Sequence, residues 1–380
     1  MNYSKEILEH IDINKFKIPI KQTEDFFPDF LKTKLSEYVE YYKMNILEHV
    51  DEKIPFEGDK KFVIIDKIEK LVDEINKVVE KYYEGNILQS TQLFNQVLDD
   101  ILFDELHKLD FFNEIEANSN FYRARKCSND KVFSKEDLFH IKFEDRHLVS
   151  TNRFSVIGFP ALYLGDSTYT CWEEYGQHKL RDLYFSRLIN TRKLKIVRIE
   201  KIEDLFNRFK NPSNTDIFSI LSYFVLFPLT ISCSITVRNR NGNFKPEYII
   251  PQLLLQYISQ KDEIQGIKFP STRIDYTKLT NIQGYNYVFP VKNIKKSGFC
   301  ETLKDIFHST EPTSLELEEI INNPIGTFMS SPPPEDGKKI ELIKGIKSKY
   351  IRTSFGKIEY RLLNRNTSKI ITAANTSLAK

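Results

Sequence analysis

The sequence predicts an α+β fold in which an N-terminal helical bundle precedes a mixed α/β domain and a C-terminal extension. Three observations predict it. Apolar residues recur at helical spacing through residues 28–110. From residue 118 onward, short strand-like segments alternate with helical stretches. Charge is also split: residues 1–120 carry 15 basic and 26 acidic residues (net −11, no arginine), whereas residues 121–380 carry 40 basic and 27 acidic (net +13). Opposite charge in the two segments suggests separate modules, as expected beyond the ~250–300 residues at which single cores stop growing.

The elements follow in order. Leu31, Leu35, Tyr38, Val39, Tyr42 and Ile46 form one helical stripe. Ile68, Leu71, Val72, Ile75, Val78, Val79 and Tyr82 form a second, and Val97, Leu98, Ile101, Leu102 and Leu106 a third. Gly58 and Gly85 fall near helix junctions, so the region reads as a small bundle. Asn118-Ser119-Asn120 then opens a region with strands expected at 161–164, 194–199, 266–269 and 286–288. The 194–199 strand alternates only partly and is expected to be covered on both faces. Helices are expected around 168–182, 216–227 and 250–260. Ser330-Ser331 with Pro332-Pro333-Pro334 breaks the chain before 338–380, which has 11 basic and 2 acidic residues. The boundaries expected are 1–117, 118–292 and 293–380.

Composition excludes several classes. With 41% hydrophobic and 13% aromatic residues the chain can bury a core, so it is not disordered throughout. No apolar run is expected to reach the ~18 residues of a membrane span, and no secretory signal is expected at the start of the sequence. Cys127, Cys171, Cys233 and Cys300 lie too far apart for zinc spacing and are too few for a disulfide scaffold. A cytoplasmic protein with reduced thiols is expected. Phosphate loops, dinucleotide glycine motifs and nucleophile elbows are missing. His140 and His147 read as loop or surface histidines rather than metal ligands. Cys171, with His178 as its base, would make a nucleophile, but its apolar helical setting favours a buried structural thiol.

What stands out is charge placed inside apolar segments. Arg123 lies in Phe121-Tyr122-Arg123-Ala124-Arg125, and Arg153 in Asn152-Arg153-Phe154-Ser155. A buried arginine needs an anion. Glu174, eleven residues beyond Tyr163, would satisfy that need from within the chain; a bound anion would do so equally.

These pieces resemble the RES domain. Tyr122-Arg123-Ala124, Arg153-Phe154-Ser155 with Gly158, Leu162-Tyr163-Leu164 through Thr170 to Glu174, and Phe269-Pro270-Ser271-Thr272-Arg273 occur in the family's order over residues 121–290. Ser155 stands where the family often has Asn. Glu173 and Glu174 compete for the family's glutamate, and the spacing from Tyr163 and Thr170 favours Glu174. The N-terminal helices resemble the HEPN-like domain that precedes some RES domains. They lack the arginine that a HEPN ribonuclease pairs with histidine.

The resemblance implies an ADP-ribosyltransferase-like fold and an NAD⁺-consuming toxin, as a glycohydrolase or phosphorylase, in a toxin–antitoxin or phage-defence setting. It implies Glu174, Arg123 and Ser271 as catalytic residues, and Arg153, Tyr163 and Tyr122 as substrate-binding residues. NAD⁺ would be substrate, with no cofactor and no metal. An antitoxin or a second copy of the chain would be a partner, and a membrane or nucleic acid would not. ADP-ribose transfer to a macromolecule is the nearest alternative. A nucleic-acid binder using the basic C-terminal segment, with Tyr350, Phe355 and Tyr360 as stacking platforms, is the other.

Overall fold

A computed structural model describes residues 7–50, 63–103, 109, 111–127, 132–209, 216–238, 242–321 and 336–370. Leu106, Gly58, the first six residues and the Ser330–Pro334 breaker lie outside the described residues.

Apart from short 3₁₀ segments, the described helices are α1 (Phe27–Asn45), α2 (Leu47–Val50), α3 (Val63–Tyr83), α4 (Ile87–Leu102), α5 (Thr168–Glu174), α6 (Ile202–Arg208), α7 (Ile217–Ser234), α8 (Ile249–Ser259), α9 (Glu301–Ile306), α10 (Leu315–Ile321) and α11 (Ser354–Leu363). The strands begin with β1 (Ile20–Lys21), β2 (Phe112–Ile115), β3 (Asn120–Lys126), β4 (Ala161–Gly165), β5 (Leu183–Asn190), β6 (Leu194–Arg198) and β7 (Ile235–Thr236). They continue with β8 (Gly266–Pro270), β9 (Leu279–Thr280), β10 (Tyr285–Pro290), β11 (Phe307–Ser309), β12 (Thr313–Ser314), β13 (Lys339–Ile343), β14 (Ile346–Lys349) and β15 (Ser368–Lys369). The α+β class is as predicted.

The chain forms two compact units: Met1–Asn113 with Asn152–Phe154 and Val197–Ile258, and Glu114–Thr151 with Ser155–Ile196 and Ser259–Lys380. These cut across the expected boundaries at 117/118 and 292/293. Composition marked where charge changes, whereas packing assigns residues 197–258 to the helical unit.

In the first unit the expected stripes are buried: Leu31, Leu35, Tyr38 and Tyr42 on α1, Ile68, Leu71, Ile75 and Val78 on α3, and Val97, Leu98 and Ile101 on α4. The Asn86 side chain caps α4 by accepting from Gln89 N at 3.2 Å, a contact worth ~1 kcal/mol. α7 explains why 197–258 belongs here. It has no charged residue and is buried throughout Ile220–Ser234, against α1 and α3. Pro228 within it cannot donate to the carbonyl of Phe224, and the buried Tyr38 hydroxyl takes that place at 2.7 Å. α7 also corrects an expectation from the sequence: by length and composition it could cross a membrane, yet 83% of it is buried inside the protein.

The second unit is built on a ten-stranded sheet of order β15-β11-β5-β3-β4-β10-β8-β6-β2, with β12 also on β5. Phe121, Leu162, Leu164, Leu188, Phe289 and Phe307 gather in one core cluster, and Tyr122, Ala124, Cys171, Leu183, Phe185, Ile358 and Leu362 in another. The four strands expected from sequence are all present, each within two residues. Segment 293–380 is no appendage. It adds β11, β12 and β15 to this sheet, while β13 and β14 form a hairpin beside β9. Tyr350 and Phe355 are 2% and 4% exposed, so they pack the core and cannot act as stacking platforms.

Candidate active site

β4 passes into α5 through Asp166 and Ser167. Ser167 caps the helix by accepting from Thr170 N at 3.0 Å. Asp166 fixes the turn: its carboxylate accepts from Thr170 Oγ1 at 2.6 Å and from Tyr285 N at 2.9 Å. A Cβ on Gly165 would lie 2.9 Å from Cys171 Sγ, so only glycine lets α5 pack this closely on β4. The helix is shorter than the expected 168–182. Gly176 and Gln177 take positive φ (+71° and +58°), which turns the chain out after Glu174.

Glu174 is thereby placed in the last turn. Its Oε1 accepts from Ser271 Oγ at 2.5 Å and from Asn286 Nδ2 at 2.7 Å, and its Oε2 lies 3.4 Å from Arg273 Nε. Ser271 is 1% exposed. Its loop is pinned by the Tyr276 hydroxyl, which donates to the carbonyls of Ser271 and Gly284 at 2.8 and 3.0 Å. One carboxylate oxygen is therefore locked by two donors, while the other stays beside a half-exposed guanidinium. Glu173 points elsewhere, as a 100° step around a helix requires. It is 6% exposed and accepts from Gln177 Nε2 at 3.0 Å.

Arg123 occupies a split in the sheet. β3 and β4 pair only at Tyr122 and Gly165. Beyond that point Arg123 Nη1 donates to the carbonyl of Tyr163 at 2.8 Å. Its Nε is buried without a hydrogen-bond partner, and no carboxylate pairs with it among the described residues. Burial lowers its pKa from the ordinary arginine value. The internal ion pair with Glu174 is not formed; Arg273 is the cation beside that carboxylate. Burial also pushes the Tyr163 phenol up, opposed by a hydrogen bond with Ser155 and by the Arg123 charge.

Two expected site residues are placed differently. Tyr122 is 4% exposed, with its ring packed in an apolar cluster. Arg153 belongs to the helical unit, where its Nη1 donates to the carbonyls of Cys233 and Glu247 at 3.1 and 3.4 Å and its guanidinium lies over Tyr248. Cys171 is buried, the structural setting its sequence context favours: burial raises its thiol pKa, and its Sγ donates to the carbonyl of Tyr122. His140 is buried rather than exposed, with Nε2 accepting from Cys300 N at 2.9 Å and a pKa lowered to about 4 by burial.

Sequence reading gave no role to Asn286, Arg273 or Glu359. Asn286 carried a usable signal, a lone amide in the apolar run Tyr285-Asn286-Tyr287-Val288. Glu359 holds the other end of α5. It is 8% exposed and accepts from Thr168 N at 2.7 Å, from Thr168 Oγ1 at 3.0 Å and from the Tyr350 hydroxyl. Burial, outweighing these donors, raises its pKa to about 7. A carboxyl raised on folding stabilises most below its unfolded pKa, near 4.5, and that contribution is lost as pH climbs through 7. Glu359→Gln is therefore expected to match wild type near pH 5 and to exceed it by roughly 2–3 kcal/mol at pH 8 in urea unfolding. Equal differences at both pH values would refute this.

The model of the RES domain matches residues 121–290. A Bacillus subtilis (strain 168) protein named "Putative toxin YopC" is 34% identical over 319 residues, covering 80% of this chain and 70% of that protein. No solved structure matches. The matched segment carries Arg123, Tyr163, Glu174, Ser271 and Asn286, and with a relative this similar over most of both lengths, the chain belongs to the RES-domain family.

Proposed function

We propose that the chain consumes NAD⁺ by breaking its nicotinamide–ribose bond, as a toxin-type enzyme. The observation that carries this reading is the Glu174 carboxylate, immobilised by Ser271 and Asn286 and accompanied in the same unit by Arg123, half-buried and without a carboxylate partner among the described residues. As the C1′–N bond breaks, nicotinamide leaves as a neutral base with the bonding electrons, and the ribose gains oxocarbenium character. A fixed carboxylate stabilises that charge. Water then adds at C1′ and loses its proton, giving ADP-ribose; phosphate in its place gives the 1″-phosphate. Arg123 supplies a guanidinium for the pyrophosphate, which is the natural partner for its unmatched donors. Tyr163 offers a ring face for nicotinamide. Ser271 and Asn286 act through Glu174. The toxin name of the B. subtilis relative supports the biological setting.

Incubating the purified chain with NAD⁺ and following free nicotinamide tests the reading. Release in plain buffer, with a phosphorylated sugar product in phosphate buffer, would identify the acceptor as well. No release from wild-type protein in either buffer would sink it.

A further inference from the structure

The β13–β14 hairpin, the turn Tyr350–Arg352 and the start of α11 face the loop after α5 across a cleft of about 930 Å³. Its walls carry Lys179, Lys347, Lys349 and Arg352, and no lining residue is acidic. Lys179, Lys347 and Arg352 are exposed and form no ion pair among the described residues. Lys347 and Lys349 are two apart on β14, so both project from the same side of that strand. The rest of the lining includes the rings of Trp172 and Phe355. Trp172 packs on Phe355 with ring centroids 5.2 Å apart, and its indole N–H donates to the carbonyl of His178 at 2.6 Å. The ring is thus already oriented before any ligand arrives.

We propose that this cleft binds a phosphorylated nucleoside, with the base against Trp172 and the phosphates on Lys179, Lys347 and Arg352. A planar face beside unmatched cations is the pairing that a base with its phosphates requires. The ligand is either a free nucleotide or part of a single nucleic-acid strand; both present the same chemistry. The cleft is distinct from the Glu174 cluster. Trp172 and Glu174 lie about 200° apart around α5. The hairpin wall, residues 342–355, also lies beyond the RES segment at 121–290.

Trp172 is the one tryptophan in the sequence, so intrinsic fluorescence reads this cleft directly. The full chain is titrated with ATP and, separately, with a short oligothymidylate, with equilibrium dialysis as a second measure. Saturable quenching by ATP identifies a nucleotide site, and tighter binding of the oligonucleotide identifies a strand site. Lys347→Glu and Arg352→Glu each weaken binding by roughly tenfold. Three neutralised phosphates give a log–log salt slope of about −2 for the strand. Both variants change exposed side chains, and circular dichroism verifies their fold. Absence of binding by both probes, or binding unaffected by the two substitutions, overturns the proposal. Neither readout depends on whether the chain cleaves NAD⁺.

Discussion

Nicotinamide release by the Glu174→Gln protein falls by roughly 10²–10⁴-fold, while the Glu173→Gln protein stays near wild type. The glutamine keeps an Oε1 to accept from Ser271 and Asn286, so the helix end and its neighbours are preserved. What disappears is the negative charge that the proposed reaction needs beside the ribose. The loss therefore falls on kcat, with KM for NAD⁺ little changed, since the charge matters most once the oxocarbenium develops. Glu173 serves as the matched control, being adjacent in sequence but turned toward Gln177. Ser271→Ala and Asn286→Ala give smaller losses, because each frees the carboxylate without discharging it. Equal impairment of the Glu173 and Glu174 variants would remove Glu174 from the reaction.

Arg123→Met separates binding from folding. A structural arginine removed from a buried ion pair costs about 3–5 kcal/mol, because its partner is left charged and unpaired. Arg123 has no such partner; it donates to one carbonyl and leaves Nε unsatisfied. Methionine fills similar volume and removes the buried charge, at the expense of the Tyr163 carbonyl contact, which is worth about 1–3 kcal/mol. Urea unfolding is expected to show stability within about 1 kcal/mol of wild type, the two effects offsetting. Catalytic efficiency nevertheless falls by at least about 10²-fold, as expected for loss of the pyrophosphate partner. Saturating ADP-ribose raises the wild-type melting temperature, by about 2.7 kcal/mol of stabilisation at 100 times Kd, and leaves the variant unchanged. A variant that unfolds readily but still responds to ADP-ribose would make Arg123 a structural residue.

Much of this was legible in the sequence, for reasons that can be named. The stripes on α1 and α3 follow the 3.6-residue period of a helix packed on one face, and their buried residues are those of the pattern. Arg123, Glu174 and Ser271 stand out in the sequence because polar groups in apolar runs need a reason to be there. Asn286 satisfied the same criterion and was missed because an amide is less conspicuous than a charge. The spacing argument that preferred Glu174 to Glu173 agrees with where the two side chains go. The packing of Tyr122 was less legible, because a tyrosine beside a site arginine looks like a substrate contact. Alternation on β3 instead sends its ring into the cluster with Cys171 and Leu183. That residues 197–258, inside the matched RES segment, pack with the helical unit was not legible, because α7 has no polar face and periodicity is silent about what covers a helix that is apolar all round. The likeness of the N-terminal helices to a HEPN domain rests on helical pattern and position alone.

The clasp of Glu359 on Thr168 joins residues 191 apart. Read against the order in which a chain is made, that separation becomes a time. Synthesis completes the Glu174, Ser271 and Asn286 cluster once Asn286 is added, but α5 still lacks its clasp for another 73 residues. At about 5–20 residues per second, that interval is roughly 4–15 s. A helix of seven residues has little stability of its own until tertiary contacts hold it. A nascent chain thus possesses the Glu174 cluster well before it can hold that cluster in place, so under the proposed function translation and the onset of activity would be separate events.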